Sequence, residues 1–278
     1  MSEHLYSELV DNQYGLTLRV ARVLLDEMTP YQRLEIFENE ALGRVMTLDG
    51  CMMLTDAHEF TYHELLVHPA LLAHPEPKRV LVIGGGDGGT LREVVKHPSV
   101  EEAVLCEIDQ AVIDASRLYF PETAKGLDHP KSTLFVGDGI EYIRKYKNSF
   151  DVVIVDSTDP VGFAEGLFRQ PFYADVKGAL RGAGIFVQQT ESPFFVPEPW
   201  KKISSELRAS FKNVNIYGGA IPMYPSGYWT FAISSDELDP WTHFDPKRAA
   251  ALPDLKYYTP EHQRAAFVEV IGPAEFRR

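Results

Sequence analysis

Val80-Leu81-Val82-Ile83 runs without a polar break into Gly84-Gly85-Gly86-Asp87-Gly88-Gly89, and Leu91–Lys96 then takes up helical spacing. A strand covered on both faces is continuously hydrophobic, and a tight glycine turn into a helix is how such a strand begins its crossover to a parallel neighbour. The same unit recurs. Aliphatic runs at Ala103–Cys106, Leu134–Val136, Val152–Val155 and Ile185–Val187 alternate with amphipathic stretches at Ala111–Tyr119, Glu141–Tyr146, Phe172–Leu180 and Trp200–Ser210. This alternation predicts an α/β doubly wound sheet. Val214–Tyr217 and Trp229–Ser234, on either side of the turn-rich Tyr224-Pro225-Ser226-Gly227, predict a closing strand pair.

The first sixty residues follow a different rhythm. Leu16, Leu18 and Val20 alternate with polar neighbours, and Asp49-Gly50 is a hairpin turn signal, so a small antiparallel β domain is expected at the N-terminus. Phe60–Leu72 has helical spacing as far as His74-Pro75 and leads into the larger unit. The boundary is set at residues 1–63 for the β domain and 64–278 for the catalytic-type domain. A chain of 278 residues with 45% hydrophobic content suffices for both cores.

Bulk properties remove some function classes. A net charge of −13 disfavours nucleic acid and anionic membrane as partners and attracts small cations. No apolar run approaches the roughly twenty residues of a membrane span, and Met1-Ser2-Glu3-His4 does not open a signal segment, so a cytoplasmic location is expected. Two cysteines, Cys51 and Cys106, offer no disulfide framework and are expected to be packing residues.

The glycine loop satisfies G-x-G-x-x-G at Gly84, Gly86 and Gly89, and Glu107 ends the next strand, where an acid can hold ribose hydroxyls. Two ligand classes fit. A dinucleotide would set its pyrophosphate over the loop, against the like charge of Asp87. S-Adenosyl ligands use the same crevice without phosphate, but ordinary S-adenosylmethionine directs a carboxylate at the loop and meets the same objection. A decarboxylated, purely cationic relative does not. Asp87 can equally cap the following helix. Asp138-Gly139 after Leu134–Val136 stands at the same sheet edge, where the acid can accept from an adenine amino group or cap the helix begun by Glu141. Asp156 ends the run Val152–Val155 and Asp159-Pro160 follows; two carboxylates beside the topological switch point favour chemistry, although Asp159 also suits a plain turn. Val161–Gly166 has the small residues of a lid. His58, His63 and His68 lie five apart, which turns each by about 140° from the last on a helix, so no metal site is expected. Tyr62 and His63 are expected to enter the crevice from the domain junction.

Taken together, these segments resemble the spermidine synthase family of polyamine aminopropyltransferases. The likeness covers nearly the whole chain and rests on Leu48-Asp49-Gly50, Glu59-Phe60-Thr61-Tyr62-His63-Glu64, the glycine loop with Leu91-Arg92-Glu93-Val94, Glu107-Ile108-Asp109, Asp138-Gly139, Asp156–Pro160, Ile221–Gly227, and Lys256-Tyr257-Tyr258 with His262 and Ala265-Ala266-Phe267. The resemblance implies a Rossmann-like, methyltransferase-type catalytic domain behind a β-strand domain, assembled as a homodimer or homotetramer. It implies decarboxylated S-adenosylmethionine as co-substrate, no separate cofactor, and a diamine acceptor. By the same resemblance, Gln32 and Glu107 hold the donor's ribose, Asp138 and Gly139 its adenine, Leu48 and Phe163 line its pocket, and Asp87 binds its ammonium. Tyr62, His63, Asp87, Ser157, Asp159 and Tyr224 position the acceptor, and Asp156 accepts its proton. Two departures stand out: Phe163 occupies a place where the family usually has proline, and Thr55-Asp56-Ala57-His58-Glu59 replaces the more usual Thr-Glu-basic-Asp-Glu run. Putrescine is the acceptor implied, with agmatine, cadaverine or spermidine as alternatives. An NAD-dependent oxidoreductase and a non-catalytic polyamine-binding protein are the readings from other classes.

Overall fold

A computed structural model describes residues 4–10 and 12–268. Two strands, β1 (Leu5–Val10) and β2 (Tyr14–Arg19), form a hairpin of their own. Four more, β3 (Arg22–Met28), β4 (Arg33–Asn39), β5 (Gly43–Leu48) and β6 (Cys51–Thr55), make an antiparallel sheet in chain order. The Asp49-Gly50 signal is a turn in fact: both residues have positive φ, 50° and 80°, the left-handed pair that matches the twist of a tight hairpin.

Helix α1 (Glu59–Ala73) carries the chain across to the second unit, and the residue 63/64 boundary falls inside it. It is buried on every side rather than along one stripe. That is possible because its polar groups are paired. Pro69 has no N–H for the Leu65 carbonyl four residues back, and the Tyr217 hydroxyl donates to that carbonyl instead, at 2.8 Å. Glu64 accepts the backbone N–H groups of Lys256, Tyr257 and Tyr258 at 2.8, 2.9 and 2.6 Å, which ties the C-terminal segment to the helix.

The second unit is a seven-stranded sheet. Its strands are β7 (Arg79–Gly84), β8 (Glu102–Glu107), β9 (Ser132–Val136), β10 (Phe150–Asp156), β11 (Leu180–Gln189), β12 (Asn213–Ala220) and β13 (Tyr228–Ser235), in the order β12-β13-β11-β10-β7-β8-β9. Only β13 runs against the others. Helices α2 (Gly89–Val95), α3 (Gln110–Tyr119), α4 (Pro121–Ala124), α5 (Gly139–Ile143), α6 (Gln170–Ala179) and α7 (Pro197–Ser210) connect the strands. Alternation divides the central strands cleanly: Val80, Val82, Leu105, Val152 and Ile154 join the core that contains α1, while Leu81, Ile83, Val104, Val153 and Val155 join the core formed with α6 and α7. The Rossmann-like, doubly wound fold with a small N-terminal β domain is therefore what the chain adopts. Among the described residues no helix is long and apolar enough to cross a membrane, and both cysteines are free.

Candidate active site

Strand order reverses between β7 and β10, and the crevice outside their C-terminal ends is where ligands lodge in this architecture. Asp156 pairs with Gly84 in the register of those two strands. A side chain at Gly84 is impossible twice over: its φ is +81°, and a Cβ would lie 2.1 Å from the Asp156 carbonyl oxygen. Gly89 is excluded for a different reason, since a Cβ there would sit 2.2 Å from the His63 ring. The glycines thus make room for the site's own side chains as much as for a ligand.

A cavity of about 170 Å³ opens there, and it gathers residues from 31 to 224. Of the residues expected from sequence, Gln32, Leu48, Tyr62, His63, Asp87, Glu107, Asp138, Gly139, Asp156, Ser157, Phe163 and Tyr224 all line it. Asp159 lies outside, in an adjoining pocket of about 30 Å³ that shares Tyr62, Ser157 and Tyr224. Val161–Gly166, expected as a lid, largely falls in a 3-10 helix, Gly162–Phe168, whose Phe163 meets the edge of Tyr31 at 5.5 Å between ring centres.

One end of the cavity is built on backbone amides. Glu107 is buried and accepts from the N–H of Gly86 at 3.1 Å and of Asp109 at 2.9 Å. Burial pushes its carboxyl up to about 7 in spite of those bonds. Asp138 is exposed and caps α5, accepting from Ile140 at 2.7 Å and Glu141 at 3.3 Å, which leaves its other oxygen for the cavity. The Gln32 amide reaches Asp109 at 3.1 Å.

The other end is acidic and crowded. Asp87 accepts from the Gly89 N–H at 2.6 Å and faces His63 Nε2 at 3.4 Å. Burial opposes its ionisation, but the His63 charge and these bonds hold its pKa below the ordinary value. Asp156 accepts from the Thr90 hydroxyl at 2.6 Å and from Tyr62; burial and the Asp87 charge nevertheless push its pKa up. In the adjoining pocket burial raises Asp159, and burial with the Asp159 charge raises the neighbouring Glu191 well above its ordinary value, the two carboxyls sharing a hydrogen bond. Glu191 is held at φ +70°, a strained geometry that Thr230 secures by donating its N–H and hydroxyl to the Glu191 carbonyl at 3.1 and 2.7 Å. Glu8 enters the same pocket from β1, accepting from the Tyr6 hydroxyl and the Met52 N–H at 2.8 and 2.9 Å.

Sequence reasoning missed Glu8, Gln189 and Trp229 in that pocket, Glu191 beside Asp159, and Thr90 beside Asp156. A signal existed for Glu8 alone: Tyr6, Glu8 and Val10 alternate on the inward face of β1, and an acid on an inward face needs a reason. The spacing of His58, His63 and His68 along the chain is silent on groups drawn from several elements. His63, Asp87 and Asp156, from three different elements, bring ligand atoms within 4.8 Å of one another. His63 Nε2 faces Asp87 at 3.4 Å and Asp156 accepts from Thr90, so these groups are engaged with neighbours rather than aiming free lone pairs at one point.

Residues 59–245 match the family model of the spermine/spermidine synthase domain, and residues 5–56 match that of the spermidine synthase tetramerisation domain. The chain belongs to the spermine/spermidine synthase family. This family of aminopropyltransferase enzymes includes relatives of nearly full length. The polyamine aminopropyltransferase of Clostridium tetani is 47% identical over 255 residues, 91% of this chain and 90% of that one. That of Bacillus subtilis is 43% identical and covers 96% of each chain. Among solved structures, a spermidine synthase in complex with the transition-state analogue AdoDATO superposes with a TM-score of 0.94 at 43% identity, covering 96% of this chain and 92% of that one. The spermidine synthase of Thermotoga maritima gives 0.92 at 43% identity, with 96% and 91% covered.

Proposed function

We propose that the protein is a spermidine synthase, transferring the aminopropyl group of decarboxylated S-adenosylmethionine to putrescine and releasing 5′-methylthioadenosine. The observation that carries this reading is the change of character along the cavity. An end with an apolar wall and amide-held acids, fit for a nucleoside, runs into Asp87, and beyond Asp87 every further acid faces another acid. A nucleoside that ends in a cation, followed by a second cationic amine, matches that order. In this reading Gln32, Glu107, Asp138, Gly139, Leu48 and Phe163 hold the nucleoside. Asp87 takes the donor's ammonium, and Tyr62, His63, Ser157, Asp159 and Tyr224 position the acceptor, with Glu8 and Glu191 at its far end. No further cofactor is needed, because the sulfonium supplies its own leaving group. The tetramerisation-domain match supports a homotetramer, or a homodimer as its half.

The reaction is an in-line displacement: the neutral amine's electron pair forms the new C–N bond as the C–S bond breaks, and the nitrogen's proton passes to Asp156. Taking a proton from an ammonium near pKa 10 with an ordinary Asp near 4 would cost about 8 kcal/mol, at about 1.36 per unit. Two features lessen that demand. Burial disfavours the charged amine and raises Asp156, and the new C–N bond acidifies the nitrogen before the proton moves. Positive charge travels from sulfur to nitrogen, so a carboxylate accelerates the step only if it lies nearer the nitrogen. Asp156 is assigned that place and Asp87 the binding of the donor.

The test is incubation with decarboxylated S-adenosylmethionine and, separately, putrescine, agmatine, cadaverine and spermidine, with methylthioadenosine and the aminopropylated amine identified by mass spectrometry. Product with putrescine above all others is expected. Absence of methylthioadenosine with every amine would sink the assignment, and equal turnover of ordinary S-adenosylmethionine would sink the role given to Asp87.

A further inference from the structure

Behind Asp87 a line of buried charged side chains leads away from the cavity. His63 Nδ1 lies 2.6 Å from Glu59 Oε2. Both Glu59 oxygens accept from Arg92, at 2.8 Å each, in a fork-to-fork pair. Arg92 Nε donates to Glu93 Oε1 at 2.7 Å, and Glu93 Oε2 accepts from Lys96 at 2.7 Å and meets His68 Nε2 at 3.1 Å. Glu59, His63, Arg92 and Glu93 are all less than 9% exposed. Most of these residues touch neither cavity, and the proposed reaction leaves them unused.

Their arrangement dictates the state of one ring. Glu59 is acceptor-only; burial alone would raise it, but His63 and Arg92 bring its pKa down to about 2. Nδ1 of His63 must therefore carry a proton. Nε2 faces a second carboxylate, Asp87, and carries a proton as well while the cavity is empty; burial works against this charge, and the two acids overcome it. The remaining charged or titratable groups facing the ring are Tyr62 on its own helix and Asp156 on β10, both on the cavity side. An ammonium arriving at Asp87 then confronts a full positive charge already sharing that carboxylate.

We propose that Glu59 and Arg92 are positioning residues for the donor: they pin the His63 proton at Nδ1, so that the ammonium of the aminopropyl group enters by displacing the other proton, from Nε2, to solvent. After the exchange Nε2 offers its lone pair, and the ammonium is held by two acceptors, Asp87 and His63. Charge is conserved, one cation replacing one proton. Without Glu59 to choose the nitrogen, the ring would lose its resting charge and its fixed tautomer together. The inference rests on the donor assignment above.

The experiment is titration calorimetry of the full-length protein at pH 7.5 in phosphate and in Tris, whose different ionisation enthalpies report protons released. Decarboxylated S-adenosylmethionine should release about one proton more than methylthioadenosine, which has the nucleoside but no ammonium. In His63→Asn and in Glu59→Gln the excess should fall towards zero. The wild-type KM for the donor should fall as pH rises from 6 to 9; in Glu59→Gln that dependence should move to lower pH, and in Arg92→Met, which takes a cation away from the Glu59–His63 pair, to higher pH. A purely structural role would lower activity without moving either readout. Binding of the donor without excess release overturns the inference alone, as does release that persists in His63→Asn, for then the proton comes from a carboxyl. Failure of the donor to bind at all overturns the donor assignment and this inference with it.

Discussion

The two ends of the crevice keep their carboxylates in opposite ways. Glu107 and Asp138 each face backbone N–H groups within four residues or from the neighbouring loop, so the fold itself satisfies them. Asp156, Asp159, Glu191 and Glu8 are brought together from two strands and two loops; burial raises the pKa of every one of them, and the charge of another acid adds to the rise for Asp156, Glu191 and Glu8. At the first end each acid has backbone partners and faces no second acid of the cluster, although burial still raises Glu107. The second holds negative charge that only a proton or a cation completes, and this is the stronger statement about what must arrive there.

The sharpest way to break this comparison is at the seam. Asp156→Asn keeps an acceptor for the Thr90 hydroxyl but can no longer take a proton. Turnover should fall about 10³-fold while calorimetry shows donor binding retained; a rate near wild type would remove Asp156 from proton transfer. Asp87→Asn retains an oxygen for the Gly89 N–H and should instead raise the donor's KM about 10- to 100-fold, the worth of a charge-assisted bond. It should also narrow the discrimination against carboxylated S-adenosylmethionine. Should both variants affect only turnover, the division of labour between the two acids is wrong.

The same contrast explains what could be read beforehand. The amide-built end is local in sequence: a hydrophobic run, a glycine turn and an acid at a strand end occur within about thirty residues of one another, so Glu107 and Asp138 were legible from pattern and Asp156 from its strand terminus. The central strands were legible for the same reason. Glu191 was not, because nothing near it marks a buried acid; its meaning comes from Asp159, which reaches it across the sheet edge. Glu8 lies far from Asp159 in sequence, and only the hairpin's packing brings the two to one pocket. Helix α1 misled in a smaller way: helical spacing was correctly seen, but its burial on all sides depends on Tyr217, Arg92 and the segment at 256–258, none of which local periodicity can report.

Glu8→Gln tests the acceptor end alone. Both of its hydrogen bonds fall on Oε2, so an amide oxygen can keep them and only charge is lost. The acceptor's KM should rise about tenfold, with the donor's unchanged, and a matching loss for both substrates would mean that the hairpin supports the fold rather than the amine. The raised carboxyls give a further consequence in pH. A carboxyl whose folded pKa lies above its unfolded value stabilises the empty protein below the unfolded pKa, and that contribution is lost as pH rises through the folded pKa. Putrescine replaces the missing protons, so its thermal stabilisation should grow by a few degrees between pH 5.5 and pH 8; a shift that shrinks over that range would contradict the acid-against-acid picture.

Phe163 offers the smallest effect and the most selective one. Its ring is 68% exposed and touches Tyr31 edge-on across the mouth of the nucleoside end. An aromatic pair contributes about 0.5 to 1.5 kcal/mol beyond buried area, and exposure puts this one at the lower figure. Phe163→Ala should therefore raise the KM for the donor about twofold to threefold, with the acceptor's KM unmoved. Phe163→Pro, which restores the residue usual in the family, removes the same ring but fixes the backbone of the second residue in the 3-10 helix. If the lid is held by its backbone, the proline variant should retain the donor better than the alanine variant. If the Tyr31 contact holds it, the two should be equally impaired, and steady-state kinetics of the pair decides between them.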